Sequence, residues 1–80
     1  MTKKLRKAYI TLGNNITWIR ENTGLTEKEM ADILGVNRIT LKIIEKGHIP
    51  RKMLLKVVLR IQDKFKLDIA TIITKSYRDT

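Results

Sequence analysis

Apolar residues recur along this chain at helical spacing, and capping residues and glycines interrupt the pattern at short intervals. Leu12, Ile16 and Ile19 stand at i, i+4 and i+7, which is one face of a helix from Leu12 to Asn22, with Thr11 placed to cap its start and Gly24 to end it. Thr26-Glu27-Lys28-Glu29 then has the form of a capping box, in which the Thr26 hydroxyl accepts from the Glu29 amide and the Glu29 carboxylate accepts from the Thr26 amide. A second helix therefore starts at Glu27, turns Met30, Ala31 and Leu34 inward, and stops at Gly35, a residue free to adopt the left-handed conformation of a sharp terminator. Asn37 caps a third helix whose Leu41 and Ile44 face inward and which Gly47 closes. Pro50 opens a fourth, from Arg51 to Phe65, because its fixed φ and missing donor cost nothing in a first turn. Its Met53, Leu54, Leu55, Val57, Val58, Leu59, Ile61 and Phe65 cover well over half the circumference, more than a surface helix of a small monomer needs, so the pattern predicts a further surface that covers it. Asp68 caps a last helix with Ile69, Ile72 and Ile73 as its apolar residues. The expected fold is all-α, with five helices.

Size and charge narrow the function. Eighty residues make one domain. At roughly 0.05–0.15 kcal/mol per residue its stability is about 4–12 kcal/mol, to which a dimer interface would add substantially. There is no cysteine, hence no disulfide framework and no thiolate ligand or nucleophile. Seventeen Lys and Arg against eight Asp and Glu give a formal charge of +9, which attracts polyanions, with nucleic acid the first candidate and an acidic protein surface the second. Lys3, Lys4, Arg6 and Lys7 make residues 1–10 a basic arm, residues 11–75 the folded domain and residues 76–80 a frayed polar end. Trp18 falls off the first helix's inner face and is expected to pack under Tyr9 or the arm. No apolar run approaches the roughly 20 residues that span a bilayer, and the basic start is followed by polar sequence rather than a signal segment, so the expected location is cytoplasmic, at the nucleoid of a bacterium or phage-infected host. His48 has no second histidine and no cysteine to complete a metal site, and no Ser-His-Asp grouping is present. The chain is expected to bind rather than catalyse, without metal, cofactor, small-molecule ligand or membrane.

Leu12-Gly13-Asn14-Asn15-Ile16, Ile19-Arg20-Glu21, Gly24-Leu25-Thr26, Met30-Ala31, Leu34-Gly35-Val36 and Ile44-Glu45-Lys46-Gly47 together resemble the Cro and phage-repressor helix-turn-helix family, also called the XRE type, over about Leu12 to Ile73. The resemblance implies a lambda-repressor-like domain whose third helix lies in the DNA major groove. With Leu41 and Ile44 inward, the outward face offers Arg38, Ile39, Lys42 and Ile43 as base-reading residues. Arg38 is suited to guanine, since a guanidinium can donate two bonds to O6 and N7, and Ile39 and Ile43 to thymine methyl groups. Asn37 and Thr40 beside them are phosphate or capping groups. Further phosphate contacts are implied at the start of the second helix and the loop into the fourth, where Lys28, Lys46, Arg51 and Lys52 stand. Glu27 departs from the family, which usually has a glutamine there that donates to a phosphate. Arg20 and Glu45 resemble the family's structural ion pair between the first helix and the end of the third, which sets the angle of the reading helix.

The function this implies is a sequence-specific double-stranded DNA-binding regulator, a repressor, acting as a homodimer on a palindromic operator, with Ile69, Ile72 and Ile73 of the last helix at the dimer interface. Phage repressors, restriction-modification controllers and antitoxin or mobile-element regulators all have this size. The alternative from another class is a protein-binding helix-turn-helix module, such as an anti-repressor or a phage-encoded inhibitor. Ile39, Ile43 and Glu27 favour it, while the net charge, Arg38, Lys42 and Arg51-Lys52 oppose it.

Overall fold

The computed structural model describes residues 3–77 and, within them, all side chains except those of Lys4 and Ile69. These residues form five helices: α1 (Lys3–Thr23), α2 (Glu27–Leu34), α3 (Arg38–Glu45), α4 (Arg51–Phe65) and α5 (Ile69–Thr74). Among the described residues there is no strand. α1 packs on α3 and α5, α2 packs on α3 and α4, and α4 packs on α5. Leu12, Ile16, Met30, Leu34, Leu41, Ile44, Val57, Ile61 and Ile72 are wholly buried where the helices meet. The Cα radius of gyration is 11.4 Å, close to the value of about 11.6 Å that a single folded domain of this length should have.

The local signals act as their chemistry requires. Thr26 Oγ1 accepts from the Glu29 amide at 3.1 Å and Glu29 Oε1 from the Thr26 amide at 2.9 Å, so both halves of the capping box are made. The bond from the Thr26 amide, and after it the hydrogen-bonding of the Thr26 side chain to the carboxylate, hold the Glu29 carboxyl below its ordinary range, because both favour the charged form. Gly35 takes φ 71°, and its amide donates back to the carbonyls of Ala31 and Asp32. Asn37 Oδ1 accepts from the Thr40 amide at 2.7 Å, and Asp68 caps α5 through the Thr71 amide.

The start of α1 differs from the expectation. Residues 3–10 are not an arm but the first turns of the helix, and Thr11 lies inside it rather than at its cap. Lys, Leu, Arg and Ala are strong helix formers, and Tyr9, one turn before Leu12, continues the buried face at 5% exposure. α1 also carries a glycine in its interior. A Cβ on Gly13 would lie 2.5 Å from the Ile44 carbonyl oxygen and 2.9 Å from the Gly47 amide, so the α1 backbone sits directly on the end of α3.

The C-terminal segment departs from the expectation as well. Asn15, 1% exposed, donates from Nδ2 to the carbonyls of Ile72 (2.6 Å) and Lys75 (2.7 Å), and its Oδ1 accepts from the Tyr77 amide at 3.0 Å. Trp18 packs not under Tyr9 but edge-on against Tyr77, with ring centroids 5.6 Å apart. Ser76 and Tyr77 are thus tied to α1 instead of fraying, and residues 78–80 of the expected frayed end lie outside the described residues. A buried amide side chain must satisfy its polar atoms, and Asn15 does so by closing the C-terminal segment onto α1.

Candidate nucleic-acid interface

α3 is built as a two-sided rod. It buries Leu41 and Ile44 completely and turns Arg38, Ile39, Lys42 and Ile43 to solvent, with Ile39 73% and Ile43 43% exposed. Its first turn holds no acid, and its only carboxylate, Glu45, is engaged elsewhere. Asn37, Arg38, Ile39 and Lys42 line one shallow depression at the start of the helix. That surface combines a fork of guanidinium donors, an ammonium and aliphatic groups, a set able to meet base edges and thymine methyls but not a second cation.

The angle of this rod is fixed from three sides. Arg20 Nε donates to Glu45 Oε2 at 2.8 Å and Nη2 to Oε1 at 3.3 Å, a two-point pair whose side chains are 19% and 11% exposed. The hydrogen bond to Glu45 holds the Arg20 guanidinium above its ordinary pKa, against the opposing effect of burial, and the Glu45, Glu27 and Glu21 carboxylates add to it. Glu27, half-buried at the start of α2, therefore contributes to the field around Arg20. The second constraint is the close approach at Gly13. The third is on α4, where Lys56 Nζ donates to the Gly35 carbonyl at 2.8 Å and Arg60 Nη1 to the Ile33 carbonyl at 3.4 Å. Lys56 and Arg60 stand four residues apart on one helix face and satisfy carbonyls that the end of α2 leaves open, where positive charge also suits the helix dipole. Sequence reading missed both, since nothing local to α4 indicates which carbonyls it meets.

The remaining candidates are distributed over several elements. Asn37 acts as a cap, and Thr40, half-buried, supplies the amide it accepts from. Lys28 on α2, Lys46 in the α3–α4 loop, and Arg51 and Lys52 in the first turn of α4 are all exposed. None of these four lines the depression at the start of α3. Lys46 lines a groove with His48, and Arg51 stands at the edge of an apolar groove with Leu54, Leu55 and Val58.

The expected dimer residues need correction. Ile72 is wholly buried inside the single chain, so it has no surface to give a partner, and Ile73 is half-buried. The Ile69 side chain lies outside the described residues. Apart from Ile39 and Ile43 of α3 and Ile10 of α1, the large apolar side chains left exposed among the described residues are on α4, where Leu55 is 67% and Leu59 47% exposed, four residues apart. Val57 and Ile61 are buried on its opposite side and Val58 is buried beside Leu55, so the broad apolar circumference is only partly covered by the chain itself.

Among the described residues no three His, Cys, Asp or Glu side chains cluster as metal ligands, and no helix is long and apolar enough to cross a membrane. Comparison of the chain with protein-family models, with curated proteins and with solved structures finds no match.

Proposed function

We propose that the chain is a sequence-specific double-stranded DNA-binding protein of helix-turn-helix type, in which α2 and α3 form the motif and α3 enters the major groove. The observation that carries this reading is the division of α3: an inner edge at zero exposure and an outer edge of Arg38, Ile39, Lys42 and Ile43, with no free carboxylate to repel a duplex. Arg38 donates to guanine O6 and N7, and Ile39 and Ile43 pack on thymine methyl groups. Lys28, Lys46, Arg51 and Lys52 contact phosphates and fix the register. Regulation is steric: a homodimer, held through Leu55 and Leu59 of α4, places two copies of α3 about 34 Å apart in successive major grooves of a palindromic operator and excludes polymerase.

The second reading, a protein-binding module of the same motif, is favoured by the exposure of Ile39. Selection of bound duplexes from a random pool at low and high salt separates the two. A two-fold symmetric sequence is the outcome expected for the operator reading, and recovery of unenriched sequences at both salts supports the second. On the selected duplex, Arg38→Ala should cost about 1–3 kcal/mol and relax preference at one base position, whereas Lys52→Ala should weaken all sequences alike and lower the salt dependence. Equal loss of preference from both substitutions contradicts these assignments.

A further inference from the structure

Because residues 3–10 are helical, they bring a cation to a place the sequence does not indicate. Ile10 rests on the α3–α4 loop so closely that a Cβ on Gly47 would lie 3.0 Å from its Cα and 3.0 Å from its Cγ1. Arg6 stands one turn earlier at i, i+4, on the same face of α1 and therefore over the same loop. Between them lies a groove of about 620 Å³ whose lining includes Arg6, Lys46 and His48 and no carboxylate. The nearest acid in sequence, Glu45, is held by Arg20 on α1 and does not neutralise Lys46. The floor is apolar, made in part by Ile10 and Ile49.

We infer that this groove seats a phosphodiester group of the nucleic-acid backbone, clamped between Arg6 of α1 and Lys46 of the loop, with the His48 ring as an N–H donor at its rim. The inference rests on the duplex reading and extends it: the footprint reaches past the reading helix onto the first turns of α1. Two cations of like sign on opposite walls of one groove repel each other in the free protein, and a bound phosphate relieves that repulsion. Aliphatic walls suit the deoxyribose beside a phosphate, and a contact of this kind positions the duplex without reading its sequence.

The test measures binding to the selected duplex and to an unrelated duplex over a range of salt, for the wild type, Arg6→Ala, Arg6→Lys, Lys46→Ala, Lys52→Ala and Lys64→Ala. Lys64, on α4 outside the groove, controls for loss of net charge. Arg6→Ala and Lys46→Ala are each expected to weaken both duplexes by the same factor, about three- to tenfold, and to reduce the slope of log affinity against log salt by about 0.9. Arg6→Lys should keep most of the slope and Lys64→Ala all of it, with circular dichroism showing each variant folded. A wild-type slope that Arg6→Ala leaves unchanged while Lys52→Ala lowers it overturns the clamp and leaves the duplex reading standing. Absence of salt-dependent duplex binding by the wild type overturns both.

Discussion

Gly13→Ala is the substitution on which local and tertiary reasoning disagree most. Gly13 lies inside a 21-residue helix, where replacing glycine by alanine ordinarily gains about 1 kcal/mol. Here the added Cβ would meet the Ile44 carbonyl oxygen at 2.5 Å, the Gly47 amide nitrogen at 2.9 Å and the Glu45 carbonyl oxygen at 3.0 Å, whereas ordinary contact begins at 3.4 Å. All three are backbone atoms, so no rotamer change relieves the overlap and α1 must move off the end of α3. Overpacking of that kind typically costs about 1–3 kcal/mol. The displacement also lengthens the two hydrogen bonds of the Arg20–Glu45 pair, whose complete loss would cost about 3–5 kcal/mol if both groups were fully buried. Taking only part of that term, the expected net effect is a destabilisation of about 2 kcal/mol, a large share of a total near 4–12 kcal/mol. For a domain of this length that corresponds to a fall in Tm of roughly 8–16 °C. Urea titration followed by circular dichroism measures it directly, with Asn14→Ala, the exposed neighbour on the same helix, as the control expected to be neutral or stabilising by about 0.5 kcal/mol. A Gly13→Ala protein as stable as the wild type or more so would refute the close approach of α1 to α3, and with it the account of how the reading helix is aimed.

A double-mutant cycle on Arg20→Ala and Glu45→Ala should give a coupling of about 0.5–3 kcal/mol in urea denaturation, and a coupling near zero would show that the pair contributes only its separate packing. For Glu29 the folded carboxyl titrates below its unfolded value of about 4.3, so the stability it contributes is present above that value and is lost as pH falls through the folded pKa. Glu29→Gln, which keeps the capping geometry without the charge, should therefore be less stable than the wild type at neutral pH and approach it on acidification; a gap independent of pH would contradict the assignment. Leu55→Asp and Leu59→Asp should lower the mass seen in sedimentation at micromolar concentration while leaving the circular dichroism spectrum intact, and an unchanged mass would move the dimer face off α4.

What was legible in the sequence was what a few neighbouring residues determine among themselves. The capping box at Thr26 and Glu29, the left-handed Gly35 and the Asn37 cap each close within one turn of the chain, and they bound α2 and α3 at the residues the pattern indicates. The same locality misplaced the start of α1: a run of Lys and Arg suggested an arm, although the apolar phase of Leu12 continues back through Tyr9. Contacts between distant residues carried no local trace. Asn15 reaches residues 57 and more positions away, and Ile72, apolar and near the end, reads equally well as core or as interface until α1 is seen to cover it.

Composition alone also misjudges where the positive charge acts. The net +9 treats every cation alike, yet Arg20 is paired with Glu45, and Lys56 and Arg60, still charged and exposed, are held by carbonyls at the end of α2. These three hold the bend and the rod in place, so their removal should unsettle the fold before it alters binding. Arg38, Lys42 and Lys46 remain solvent-facing along α3 and its following loop, and Arg6 stands over that loop from α1. These four are the cations nearest a duplex seated on α3, with the exposed Lys28, Arg51 and Lys52 on the neighbouring elements. Exchanging charge at Lys56 or Arg60 should therefore shift the urea midpoint and leave the salt slope of the folded protein unchanged, while exchange at Arg38, Lys42 or Lys46 should do the reverse.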